Sequence, residues 1–127
     1  MGDGPHTSRR GKLAVLRKRR EFLRVQSQGR RFRCRYVVLL VMLGEHGTRV
    51  GFTVSRKVGN AVVRNRTRRR MREILRTLPH GLCSGCDHVV IAYPAAANVR
   101  FDALREELTC LLDKARDWAS AKRSSSH

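Results

Sequence analysis

The chain has 127 residues, with 28 Lys and Arg against 10 Asp and Glu, giving a formal net charge of +18. That length suits one domain, and 41% hydrophobic residues suffice for a core, which argues against a disordered basic polymer and for a folded protein with a polyanionic partner. The longest apolar run, Tyr36 to Leu43, falls far short of the roughly 20 residues a membrane helix needs, and no apolar stretch follows the polar start, so a cytoplasmic protein is expected, with no membrane partner.

Residues 1–10 mix Gly, Pro, His, Ser and Arg without periodicity and read as a flexible basic tail. Residues 120–127 end in a Ser-rich string and read as a second tail, leaving 11–119 as a single domain. Within it, Leu13, Leu16, Phe22, Leu23 and Val25 fall at loose helical spacing, which predicts a basic amphipathic helix over 13–26 stopped at Gly29.

Arg33 to Leu43 is rich in Val, Tyr and Leu, Gly44 to Gly47 supplies turn residues, and Thr48 to Ser55 resumes an alternating pattern. The economical reading is a hairpin of these two strands. Alternation puts Val50, Phe52 and Val54 on a core face and leaves Arg49, Gly51, Thr53 and Ser55 on a face open to a partner.

After Gly59 and Asn60, which can turn or cap, a helical pattern runs to Leu78 and is stopped by Pro79 and Gly81. Val63, Thr67, Met71, Ile74, Leu75 and Leu78 share one stripe, while Asn65, Arg69, Arg72 and Arg76 gather opposite with Arg66 beside them. Asp87 to Tyr93 then reads as a short strand, and Val99 to Ala119 returns to helical spacing through Leu104, Leu108, Leu111, Leu112 and Ala115.

The resulting α-β-β-β-α-β-α order predicts an α+β sandwich: a small, mainly antiparallel four-stranded sheet covered by helices on one face. The strand, basic helix and strand form a crossover unit whose two strands can lie parallel.

The basic helix carries Arg64, Arg66, Arg68, Arg69, Arg70 and Arg72, and Glu73 is the only acid between Arg56 and Arg76. Like charges at neighbouring helix positions cost a few tenths of a kcal/mol per pair, so such a face gains from a polyanion laid against it. A merely solubilising face would interleave acids with bases, and guanidinium forks suit phosphate. Composition and spacing thus reach nucleic-acid binding by one helix face.

The run VSRKVGNAVVRNRTRRRMRE, Val54 to Glu73, resembles the signature of the protein subunit of bacterial ribonuclease P. REFLRVQSQGRRF near the start and CDHVVIAYPAA later are similar to that family's first helix and last strand, so the resemblance covers about residues 13 to 117. It implies a protein that binds a catalytic RNA subunit and the 5′ leader of precursor tRNA, with one copy per RNA. It also implies magnesium ions bound chiefly by the RNA and a crossover that is left-handed. No Ser/His/Asp grouping or paired carboxylates stand out, so no catalytic residue is expected on this chain.

By resemblance, Arg64, Asn65, Arg66, Arg68, Arg69 and Arg72 face the RNA subunit, with Ser55, Arg56, Lys57, Gly59 and Asn60 leading into them. Arg19, Phe22, Tyr36, Thr53 and Ser55 are the implied lining of a leader cleft, although ordinary core packing accounts equally well for Phe22 and Tyr36. Gln26 stands where many relatives carry a second aromatic, and Arg70 stands at a usually apolar position.

His80, Cys83, Cys86 and His88 have spacings that admit a zinc clip, a redox pair or an unligated loop. The family requires no metal on its protein, so no zinc is expected. A general RNA-binding or ribosomal-type protein shares the charge without the ordered motif. A DNA-binding module would mix Asn, Gln and Ser into its helix to read base edges, where this one is nearly all Arg.

Overall fold

The computed structural model of the protein describes residues 13–78 and 80–124. The predicted N-terminal tail at 1–10 and the predicted helix stop at Pro79 lie outside the described residues. The first helix, α1, spans Arg19–Gln28 and is followed by β1 (Arg30–Arg33), β2 (Val37–Leu43) and β3 (Arg49–Thr53). Helix α2 (Ala61–Thr77), β4 (Cys86–Ala92) and α3 (Phe101–Ser124) complete the chain.

The four strands form one sheet in the order β1-β2-β4-β3. β1 pairs with β2 and β2 with β4 antiparallel, whereas β3 runs parallel to β4 in the register Arg49 to Asp87 through Thr53 to Ile91. The α+β class, the element order and the crossover through the basic helix are therefore as the sequence predicts.

The expected hairpin between 33–43 and 48–55 does not form. Arg33 instead ends β1, a separate strand that makes its own hairpin with β2 across a turn where the Cys34 amide donates to the Val37 carbonyl. β3 is set apart from β2 by β4, and the Gly44 amide reaches the Gly85 carbonyl of the approach to β4. The physical reason lies in composition: β4 carries Val89 and Val90, both fully buried on opposite faces, and so takes the sheet's interior.

Helices cover both faces of the sheet and not one. Along β2, Val37, Leu39 and Val41 pack with Met71, Ile74 and Leu75 of α2 and with Leu104, Leu108, Leu111 and Leu112 of α3. Val38 and Leu40 point the other way and pack with Leu16 and Val25, under α1. Val37 to Val41 are each at most 2% exposed, and full burial of one such side chain contributes about 1.5–3 kcal/mol.

The first helix begins at Arg19, not Leu13. Ala14 to Leu16 are extended along the outer edge of β3, where Leu16 donates to the Val50 carbonyl and Val50 donates to that of Ala14. This pairing closes an edge that would otherwise expose backbone donors and acceptors. The helix then starts where the Glu21 carboxylate accepts the amides of Arg17 and Lys18, at 2.9 and 3.0 Å, while the Glu21 amide donates to the Lys18 carbonyl.

At the other end α3 continues past Ala119 to Ser124, so 120–124 are helical and 125–127 lie outside the described residues. Arg123 in that last turn donates to the Ser84 carbonyl, tying the helix end to the loop before β4.

Candidate nucleic-acid interface

Helix α2 owes its start to two short caps. Ser55 Oγ accepts the Lys57 amide at 3.3 Å, shaping the single turn of 3₁₀ helix at Arg56–Val58, and Asn60 Oδ1 accepts the Val63 amide at 3.0 Å. Between them Gly59 leaves no room for a side chain, since an added Cβ would stand 2.8 Å from Val63 Cγ1. The Lys-x-Gly-Asn part of the motif is thus a device for turning the chain into the helix.

Along α2 the predicted stripe faces inward: Thr67, Met71, Ile74 and Leu75 are buried, with Val63 and Leu78 half-buried. Asn65, Arg69, Arg72 and Arg76 are exposed on the outer face, and Arg56, Lys57 and Asn60 are exposed at its approach. Other arginines of the helix are already engaged. Arg66 donates to the Ala97 carbonyl at 3.2 Å, and Arg70 donates to the Val99 carbonyl with its guanidinium 5.9 Å from the centre of the Phe101 ring.

Burial, with Arg66 alongside, pulls the Arg70 guanidinium below its ordinary value. Arg68 donates to Asn65 Oδ1 at 2.8 Å, and Arg72 lies over the Phe52 ring at 5.9 Å. The Nε of Arg64 is buried with no hydrogen-bond partner among the described residues.

A second feature lies on the α1 face of the sheet. Phe22 sits directly above Gly51, where an added Cβ would approach its ring to 2.4 Å, and a Cβ added at Gly29, at the helix end, would stand 3.0 Å from the Val41 carbonyl oxygen. Helix α1 therefore covers the part of the sheet that holds residues 41 and 49–51.

In the next row on this face Thr53, Ile91, Val38 and Arg33 stand in lateral register across all four strands, with Val38 still buried. Thr53 and Ile91 are half-buried, and so is Tyr93 one step further along.

Helix geometry sets the wall of this cleft. At 100° per residue Arg19, Phe22 and Gln26 occupy one flank of α1, while Glu21 on the opposite flank bonds Arg49 at 3.0 Å. The cleft thus has a floor of Thr53, Ile91 and Tyr93, with Ser55 at one end, and a wall of Arg19, Phe22 and Gln26.

Of the candidate cleft residues, Phe22 lies over β3 on the α1 face, Arg19 shares its flank of α1, and Thr53 ends β3 with Ser55 just beyond. Tyr36 packs against the cluster on the α2 and α3 face, with Arg35 over its ring at 5.9 Å. The aromatic that joins Phe22 in the α1-side cluster is Tyr93. Sequence reasoning passed over Ile91 and Tyr93, although their alternation with Val89 would have marked them once β3 and β4 were known to be neighbours.

The face of β3 expected to lie open is therefore partly closed, because Phe22 seals Gly51 and Arg49 is held by carboxylates. Arg49 donates through Nε and Nη2 to Asp87 at 2.9 and 3.0 Å as well as to Glu21. The backbone amides of Lys18 and Arg17, helped by Arg49, draw the Glu21 carboxyl down to about 2.

The cysteine and histidine segment is built as a structural corner. His88 is fully buried, with Nε2 accepting the Cys83 amide at 2.9 Å and Nδ1 at 2.9 Å from the Arg49 carbonyl. Both ring nitrogens are occupied and neither is open to a metal. Burial holds the ring neutral by pulling its pKa to about 4.

Cys83 and Cys86 are buried and adjacent: a hydrogen bond from Cys83 and the nearby Arg123 draw the Cys86 thiol down to about 7, and the Cys83 thiol is pushed up. No group of three or more His, Cys, Asp or Glu among the described residues is placed to hold a metal. No described helix is long and apolar enough to cross a membrane.

Comparisons with known proteins agree with this architecture. The Ribonuclease P family model matches residues 11–116. The ribonuclease P protein component of Erythrobacter litoralis is 42% identical over 107 residues, covering 84% of this chain and 88% of that protein. That of Caldanaerobacter subterraneus is 40% identical over 106 residues, covering 83% and 91%.

Among solved structures, the RNase P protein of Thermotoga maritima superposes with a TM-score of 0.72 at 34% identity, covering 79% of this chain and 96% of its own. The Staphylococcus aureus RNase P protein gives 0.73 at 27% identity, covering 83% and 97%. The chain belongs to the bacterial ribonuclease P protein family, the protein components of an endoribonuclease of transfer-RNA processing.

Proposed function

We propose that this chain docks on the ribonuclease P RNA through α2 and its approach, and receives the single-stranded 5′ leader of precursor tRNA in the cleft beside α1. Arg56, Lys57, Asn60, Arg64, Asn65, Arg66, Arg68, Arg69 and Arg72 form the RNA-subunit surface. Exposed Arg69 and Arg72 neutralise phosphates directly, while Arg66 also fastens α2 to the segment before α3. Arg19, Phe22, Thr53 and Ser55 serve the leader, joined by Tyr93 in place of Tyr36. Base stacking on Phe22 or Tyr93 contributes about 1–3 kcal/mol per base.

In this reading the catalytic centre belongs to the RNA, whose bound magnesium ions carry out hydrolysis, and one copy of the protein in the cytoplasm serves each RNA. The chain contributes positioning and charge neutralisation. The observation that carries the reading is the continuity of the two surfaces: Ser55 closes one end of the cleft and begins the turn that leads into α2.

The test is reconstitution of precursor tRNA cleavage at low magnesium, using a bacterial ribonuclease P RNA with and without this protein. Restored 5′ processing by a protein inert on its own is expected. Binding to the RNA with cleavage unchanged would overturn the reading in favour of a general RNA-binding protein.

A further inference from the structure

Cys83 and Cys86 are 1% and 0% exposed, in a corner apart from the surfaces assigned to RNA above. The Cys86 amide donates to the Cys83 carbonyl at 3.2 Å, closing a four-residue turn in which Gly85 has φ +72°. Such a turn holds its end Cα atoms within about 7 Å, a span that a disulfide bridges. His88 is committed to the Cys83 amide and the Arg49 carbonyl, so its imidazole serves the pair as neither ligand nor base.

Arg123, in the last turn of α3, lies over this corner. Its Nη2 donates to the Ser84 carbonyl and stands 3.8 Å from Cys86 Sγ, and a Cβ added at Gly85 would come within 2.9 Å of it. The hydrogen bond from Cys83 and this guanidinium favour the thiolate of Cys86, the form that attacks an electrophile. Its bond to Cys86, together with burial, keeps Cys83 a thiol. One sulfur is thus prepared to attack and the other to follow.

We infer that Cys83 and Cys86 form a redox-active pair that hydrogen peroxide converts to a disulfide, with Cys86 as the attacking sulfur and Cys83 as the resolving one. Cys86 sulfur attacks the peroxide, an S–O bond forms and the O–O bond breaks, and the departing hydroxide takes up the proton that Cys86 released. Cys83 then attacks the sulfenic sulfur, the S–S bond forms and the S–O bond breaks, and the second hydroxide leaves as water with the Cys83 proton. Two thiols lose two electrons and two protons, and the peroxide gains them as two waters. The oxidant enters when the final helical turn frays. The disulfide carries no negative charge for Arg123 to hold, so oxidation loosens the end of α3.

The experiment treats the full-length protein with hydrogen peroxide, traps free thiols by alkylation and digests with trypsin. Cys83 and Cys86 share the peptide 77–100, which separates them from the exposed Cys34 and Cys110. That peptide should become two hydrogens lighter and closed to alkylation, and dithiothreitol should restore both thiols. Amide exchange in the last turn of α3 should quicken several-fold in the disulfide form. In Cys83→Ser, where no resolving sulfur remains, dimedone should trap a sulfenic acid on Cys86, and adding Arg123→Gln should raise the pH midpoint of that reaction.

If both cysteines stay open to alkylation after a treatment that oxidises Cys34 and Cys110, the proposal falls, whatever the variants do. Sulfenic acid trapped on Cys83 in Cys86→Ser, with none on Cys86 in Cys83→Ser, would refute the assigned roles. An exchange rate or a pH midpoint that stays put would refute the part given to Arg123. Precursor tRNA cleavage by the reduced Cys83→Ser holoenzyme should match wild type, so a failure here is distinct from a failure of the RNA-docking reading.

Discussion

Arg49 grips Asp87 with two parallel hydrogen bonds, 2.9 Å from Nε and 3.0 Å from Nη2, at the point where β3 and β4 lie side by side. The same guanidinium reaches Glu21 of α1 through Nη1. One side chain thereby fixes strand register and helix placement, and the helix placement fixes the wall of the cleft. Asp87 is 5% exposed, so Asp87→Asn should cost about 1.5–3 kcal/mol in urea denaturation, the range for hydrogen bonds to charged groups. Glu21→Gln should cost less, because its partner bond is closer to solvent.

Glu107 supplies a second anchor. Glu107 is 8% exposed, and its carboxylate accepts the amides of Arg35, Tyr36 and Val37, at 3.2, 2.6 and 2.9 Å, from the turn that starts β2. Glu107→Ala should leave those donors without an acceptor and lower stability by about 3 kcal/mol. Glu107→Gln, which keeps one carbonyl oxygen, should recover part of the loss in the same melt.

Acid sensitivity should trace to His88. Its folded pKa of about 4 lies below its ordinary 6.5, so the unfolded chain binds the proton more readily. The contribution is fully present above pH 6.5 and is lost as pH falls toward 4. Thermal midpoints of the wild type should decline over that window, and His88→Phe should show a lower midpoint at neutral pH with a flatter decline. An equal decline in both would assign the acid sensitivity elsewhere.

Helix α2 separates arginines that hold the fold from arginines left outward. Charge reversal at Arg69 should weaken binding to the RNA subunit and lower its salt slope by about 0.7 to 0.9 for each phosphate no longer neutralised, with the melting temperature unchanged. Arg70→Ala should do the reverse, costing about 1 kcal/mol of stability through removal of the bond to the Val99 carbonyl while leaving most of the RNA affinity. A salt slope unmoved by reversal at Arg69 would mean that the outer face does not meet RNA.

Phe22 and Gly51 should behave as one unit. Gly51→Ala forces the Phe22 ring out of its seat, since the new Cβ would lie 2.4 Å from it, and should widen the cleft. In a Phe22→Ala background the same change should be nearly harmless. A double-mutant cycle on stability should therefore show coupling, and additive effects would count against this packing.

What the sequence showed was local. The stripe and outer face of α2, the Asn60 cap and the buried character of β2 and β4 all follow from periodicity within a few turns or residues. What it concealed was lateral. Gly44 to Gly47 looks like a hairpin turn, yet Val50 finds its strand partner at His88, across the whole of α2.

Glu21 is both a cap and an ion-pair partner, and only the second role needs the fold: Arg17 and Lys18 lie within about one turn of it, whereas Arg49 reaches it only in space. Tyr36 and Tyr93 are equally aromatic in the sequence and meet across the strands through the Tyr93 amide and the Tyr36 carbonyl, and only side-chain packing decides which one joins Phe22.

β4 sits between β2 and β3, so the strand synthesised last is the one that separates the two made before it. A nascent chain that has emerged as far as α2 already displays its arginines, but the floor of the cleft is missing and β3 lacks its partner strand. Such a chain can be caught by any polyanion before it has a shape that discriminates among them. The sheet closes only when residue 92 has arrived, and selectivity begins with that closure.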